Sequence, residues 1–225
     1  VSPGDVMDIA VNSSGNIYLT DPKTREIHIY SPAGELVRKL QGHFKENAKI
    51  AVDNKRIYLA DMQGNRILAL DSEDGNILWT NTGYLVPDSL DVKNDIVFVS
   101  DKDKQFVRLL SSGDGNVIND VKLGLSGYTY GSTILSLGNS EILLAQTYSR
   151  DGLLQKYSFS GNLIQTIRGP YGFSPADLAI TSTGDIVVSD DSNYSLYYVK
   201  DSLVTPLQSS HLKNLFENDR KKKMH

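Results

Sequence analysis

The stretch Asp8-Ile-Ala-Val-Asn-Ser-Ser-Gly-Asn-Ile-Tyr-Leu-Thr-Asp21 decides the fold, because the rest of the chain copies it. Continued to residue 40, it divides into four short segments, 9–11, 16–20, 27–30 and 35–40, separated by tight polar turns. None is long enough, or suitably spaced, for an amphipathic helix, so the unit reads as four strands. Its strand end Ile17-Tyr-Leu-Thr-Asp21 returns as Ile57-Tyr-Leu-Ala-Asp61, Val97-Phe-Val-Ser-Asp101, Leu143-Leu-Ala-Gln146 and Ile186-Val-Val-Ser-Asp190. A second marker keeps the same phase. The turn Pro32-Ala-Gly34 recurs as Glu73-Asp-Gly75, Gly113-Asp-Gly115 and Phe159-Ser-Gly161, and its fifth copy, at Asp201-Ser202, lacks the glycine. Four-stranded units repeating every 40–45 residues or so are the signature of propeller blades rather than of a sandwich.

The expectation is therefore an all-β propeller of four-stranded antiparallel blades, with five repeats at roughly 6–41, 49–82, 89–123, 132–168 and 177–208. The ring is expected to close with five, or to be an incomplete ring of six. One domain spans 1–210, and 211–225 forms a tail, with Leu212, Leu215 and Phe216 at helical spacing ahead of the basic run Arg220-Lys-Lys-Lys223. Inner segments such as Ile96-Val-Phe-Val99 are continuously apolar, as strands covered on both faces must be. The fourth segment of each repeat is more polar and belongs at the outer rim. A lone blade cannot bury its faces, so the repeats must stack.

Composition excludes several classes of function. The chain has 225 residues and a net charge of −4, which argues against a general polyanion binder. It has no cysteine, which removes disulfides, thiolate catalysis and Cys-ligated zinc. No apolar run approaches a membrane span, and no membrane partner is expected. The expected location is cytoplasmic and the expected state is a monomer.

The turns within blades are uniform, whereas the crossings between blades vary. Those crossings are Gly42-His-Phe-Lys-Glu-Asn47, Gly83-Tyr-Leu-Val-Pro87, Gly124-Leu-Ser-Gly-Tyr-Thr-Tyr-Gly131 and Arg168-Gly-Pro-Tyr-Gly-Phe-Ser-Pro175. Variable loops on a rigid scaffold are where binding concentrates. Candidate contacts on this edge are Lys23, Arg25, Phe44, Arg66, Tyr84, Lys102, Lys104, Tyr128, Tyr130, Arg150, Arg168, Tyr171 and Phe173. Aromatics beside cations suit single-stranded RNA. The same edge carries comparable acidic charge, including Glu46, Asp88, Asp103 and Asp191, so a protein partner fits better.

The unit Asp-Ile-Ala-Val followed by Gly-Asn-Ile-Tyr-Leu and a strand-end Asp resembles the NHL repeat. Repeat two keeps the pattern best, in Asp61-Met-Gln-Gly-Asn-Arg-Ile67. The resemblance runs from Val6 to about Gln208. It implies a propeller, commonly of six blades, and often the C-terminal domain of tripartite-motif (TRIM) ubiquitin ligases, where the loop face recognises proteins or single-stranded RNA. This sequence departs from the pattern at Glu26, Phe106 and Ser195, where the family often has arginine, and at Gln146 in place of the strand-end Asp.

Catalytic and metal chemistry find little in the sequence. The strand-end Asp21, Asp61, Asp101 and Asp190 read as acceptors for N–H groups of the following loop. Asp71-Ser-Glu-Asp-Gly75 lacks the spacing of a calcium loop and reads as a turn. Asp8, Lys49, Ser89, Thr133 and Asp177 precede the innermost strands and should ring the mouth of the central channel, with Asp8 and Asp177 as neighbours if five blades close. Two carboxylates and no inward histidine make a poor metal set, and neither HExxH nor G-x-S-x-G occurs. The reading that results is a recognition domain with no catalytic residue, metal or cofactor of its own. It would be the substrate-recognition part of a TRIM-like ligase, with RNA binding as one alternative and a metal-dependent propeller hydrolase or lyase as another.

Overall fold

The structure, a computed structural model, describes residues 6–84, 86–101, 106–123, 130–138, 140–147, 152–181, 183–192, 194–200 and 203–207. All secondary structure described is β. Blade 1 holds β1 (Asp8–Val11), β2 (Ile17–Asp21), β3 (Glu26–Tyr30) and β4 (Leu36–Gln41). Blade 2 holds β5 (Ala48–Val52), β6 (Arg56–Asp61), β7 (Arg66–Asp71) and β8 (Ile77–Thr82). Blade 3 holds β9 (Pro87–Lys93), β10 (Ile96–Asp101), β11 (Phe106–Ser111) and β12 (Val117–Lys122). Blade 4 holds β13 (Tyr130–Gly138), β14 (Glu141–Thr147), β15 (Leu153–Ser158) and β16 (Leu163–Arg168). Blade 5 holds β17 (Pro175–Ile180), β18 (Ile186–Asp190), β19 (Ser195–Lys200) and β20 (Leu203–Pro206). Each blade is a four-stranded antiparallel meander of consecutive strands, and the five are arranged as a β-propeller, as the repeat required. The expected tail helix lies outside the described residues.

The inner strands pack in order, β1 on β5, β5 on β9, β9 on β13 and β13 on β17, and together they line a central channel. Burial follows from the two-residue period. In blade 2, Ile50, Ile57, Leu59 and Leu68 face blade 1, while Ala51, Tyr58, Ile67 and Trp79 face blade 3. Trp79 lies across the next blade's turn, with its indole N–H donating to the Ser112 carbonyl at 3.0 Å. Gly115, at φ +72°, makes that approach feasible: a Cβ there would stand 2.5 Å from the indole ring. The outer strands β4, β8, β12 and β16 each carry a bulge, which leaves Val37, Leu78, Ile118 and Ile164 as the extra residue and disrupts an edge that would otherwise invite pairing.

Candidate functional site

The strand-end aspartates behave as the sequence suggests. Asp21 Oδ1 accepts the N–H groups of Lys23 and Thr24 at 2.9 and 3.1 Å. Asp61 Oδ1 accepts from Gly64 at 3.0 Å and Lys45 at 3.2 Å, and its Oδ2 holds Arg66 Nε at 2.9 Å. Asp190 takes Ser192 N–H on one oxygen and Ser174 N–H on the other. All are buried and fasten loops. On Asp21 burial acts upward, but the Thr24 and Lys23 N–H bonds outweigh it and hold the carboxyl below the usual range.

The rim candidates divide three ways. Phe44, Tyr84 and Phe173 are core residues, each at most 4% exposed, which corrects their assignment as partner contacts. Glycine is the cause in two cases, since a Cβ at Gly42 would lie 2.2 Å from the Phe44 ring and one at Gly169 would lie 2.1 Å from the Phe173 ring. The bare backbone lets each aromatic fold back under its loop. Arg66 is tied to Asp61 and donates to the His43 carbonyl at 2.8 Å, so it serves the loop. Lys23, Arg25, Arg168 and Tyr171 remain exposed. Lys102, Lys104, Tyr128 and Arg150 lie outside the described residues, and of Tyr130 only its place in β13 is described.

The channel mouth gathers the ring anticipated from the starts of the inner strands. A cavity of about 280 Å³ is lined by Asp8, Lys49, Ser89, Thr133 and Asp177, together with Asp91 one layer deeper. Several of these groups bridge blades. Asp8 Oδ2 accepts Ile50 N–H at 2.8 Å, and its Oδ1 lies 3.6 Å from Lys49 Nζ. Ser89 Oγ accepts Ile134 N–H at 3.1 Å, and Thr133 Oγ1 donates to the Ala176 carbonyl at 2.8 Å. Asp91 Oδ2 accepts Ser136 N–H at 2.7 Å. Burial pushes the Asp8 carboxyl up. Lys49 and the Ile50 N–H pull it down, Asp177 adds to the rise, and the net is above the ordinary value. Asp91 is raised for the same leading reason, against its Ser136 and Val92 N–H bonds.

Asp91 was not legible as a site residue. The available signal was a carboxylate in an inner-strand slot that Ala10, Ala51, Leu135 and Ala179 fill with apolar groups. The donors at the mouth do not suit a metal ion: Lys49 Nζ lies against Asp8, where a cation would bind, and no three His, Asp or Glu side chains converge among the described residues.

The geometry defines a β-propeller with a polar pocket at its axis, and solved structures share that architecture. One described as a streptogramin B lyase aligns with a TM-score of 0.71 at 13% identity, over 92% of this chain and 70% of its own. Virginiamycin B lyase from Staphylococcus aureus aligns at 0.68 and 14%, over 90% and 69%. Kuenenia stuttgartiensis hydrazine synthase aligns at 0.71 and 8%, over 93% and 67%. No protein-family model and no curated protein matches the chain. At such identities the likeness establishes fold. The expectation that this domain is no enzyme is corrected by neighbours of the same architecture that are named as enzymes, two lyases and a hydrazine synthase.

Proposed function

We propose that the chain acts on a small polar molecule at the mouth of its central channel, by lyase-type proton transfer. Elimination breaks a bond without adding water; it needs a base to take a proton and an acid to return one to the leaving group. Asp8 and Lys49 form such a couple, a desolvated carboxyl and an amine at 3.6 Å. The Ser89 and Thr133 hydroxyls stand beside them to orient a substrate, and exposed Asp177 offers an anion for a cationic or hydroxylated substituent. The volume of about 280 Å³ suits a ligand, or the end of one, no larger than a monosaccharide or an amino acid. The observation that carries this reading is the Asp8–Lys49 pair inside that cavity. The test is mass spectrometry of reactions with quinupristin, which a solved structure of inactive virginiamycin B lyase holds, and with a panel of small lactones and amine-bearing sugars. Expected is cleavage without gain of water, lost in Lys49→Met. Gain of a water molecule, or turnover that survives Lys49→Met, would overturn the reading.

Blade 5 favours a second reading. Tyr171 and Tyr194 are 89% and 95% exposed, on two loops joined by Ser192 Oγ donating to the Gly172 carbonyl at 2.7 Å. Two nearly bare rings on tied loops beside Arg168 resemble anchors for a partner protein, such as the substrate of a TRIM-like ligase. A gel shift with an RNA pool at low salt separates a protein partner, which predicts no shift, from single-stranded RNA.

A further inference from the structure

Five blades closed on themselves have five seams, and equivalent residues should be equally covered at each. Four apolar clusters occur among the described residues, between blades 1 and 2, 2 and 3, 3 and 4, and 4 and 5. None joins blade 5 to blade 1. The inner-strand residue that follows the channel-mouth position faces the preceding blade in blades 2 to 5. Ile50, Leu90, Ile134 and Leu178 are 3–9% exposed, whereas Ile9 is 56% exposed. On the third strand the residue facing the following blade is Ile27, Ile67, Val107 or Leu154, each 0% exposed, but in blade 5 it is Leu196 at 42%. Polar brackets show the same break. Asp8, Ser89 and Thr133 each bond to the inner strand of the next blade, while Asp177 at the same position accepts the N–H of its own neighbour Leu178 at 2.9 Å. Among the described residues the strands are consecutive within every blade, and no shared strand fastens blade 5 to blade 1.

We propose that the seam between blades 5 and 1 is an interface for further blades of the same repeat, which complete the ring. Its two walls have the shape and chemistry of blade faces. Ala179, Val187 and Leu196 on one side match Ala51, Tyr58 and Ile67, which pack blade 3, and Ile9 on the other matches Ile50, which packs blade 1. An aliphatic sheet face of this kind is stable only when another sheet covers it. About 30% of the streptogramin B lyase chain lies outside the match, a length of about two repeats of 40–45 residues.

The chain has no cysteine, which makes the test clean. Ile9→Cys with Ala179→Cys spans the open seam; Ala10→Cys with Ile50→Cys spans the packed one. Expected on oxidation is a disulfide in the second pair and free thiols in the first. The single variant Leu196→Cys, at an exposed position, should react with maleimide in the chain as it stands. It should be protected by about tenfold or more when a copy of residues 48–82 is inserted after residue 207 to fill the seam. A disulfide across Ile9 and Ala179 would show that five blades close. Protection of Leu196→Cys in a chain that sediments as a dimer would assign the seam to a second copy. Continued labelling after insertion would show that a blade does not fit. Each of these results overturns the proposal.

Discussion

Asp21 and Asp8 end neighbouring strands of one blade, Asp8 pairing across from Thr20, and both carboxyls are withdrawn from solvent. Asp21 is covered thinly by its own loop, whose Lys23 and Thr24 N–H groups point at one oxygen. Asp8 lies within the mass of the ring, where burial acts on it more strongly than Lys49 and the Ile50 N–H can offset. A loop carboxylate is thus stabilised as an anion and holds backbone in place. A channel carboxyl is held above its ordinary value, which is what the proposed proton transfer calls on. The same residue type is pushed in opposite directions in the two regions, according to whether N–H donors or desolvation dominates.

Substituting one residue from each region should separate them most clearly. Asp61→Ala leaves Arg66 and two loop N–H groups without their acceptor and is expected to cost about 2–4 kcal/mol in denaturant unfolding, while exposed Asp177→Ala stays within about 0.5 kcal/mol. Comparable losses would erase the distinction. The aromatics of the rim divide similarly. Phe173→Ala is expected to cost about 3–5 kcal/mol and Tyr171→Ala less than about 0.5 kcal/mol, two residues apart on one loop.

Smaller effects should appear with pH. Asp21 and Glu26 are held low, so the stability they contribute is present above the ordinary carboxylate values and lost as pH falls through their folded values. Asp8 and Asp91 are raised. Their contribution is full below the ordinary aspartate value near about 3.9 and is lost as pH rises through their folded values. Melting temperature should therefore peak on the acidic side of neutrality and fall on further acidification. A flat profile there would contradict the channel assignment. Finest of all, Lys49→Met should move the Asp8 titration further up and Asp177→Asn should move it down, because the amine pulls it down and the second carboxylate pushes it up.

The repeat made the fold legible. A period marked by both a strand-end Asp and a turn glycine leaves little freedom, and the Asp–loop bonds are local enough to read from spacing alone. The rim was misread at Phe44 and Phe173, because Gly42 and Gly169 clear the path for these rings to turn inward through geometry that sequence order does not show. Tyr84 is buried among apolar neighbours of blades 2 and 3, which a loop position conceals. Seam closure was also beyond reach. Ile9 and Leu196 are aliphatic in the same pattern as their covered counterparts, and only the packing separates them.

The most direct test of the channel's role is an NMR titration of the aspartate side-chain carboxyl carbons in the folded protein. Expected are Asp8 and Asp91 titrating above the ordinary aspartate value and Asp21 below it. Asp8 and Asp91 titrating at or below Asp21 would contradict the account and leave the pocket a structural channel.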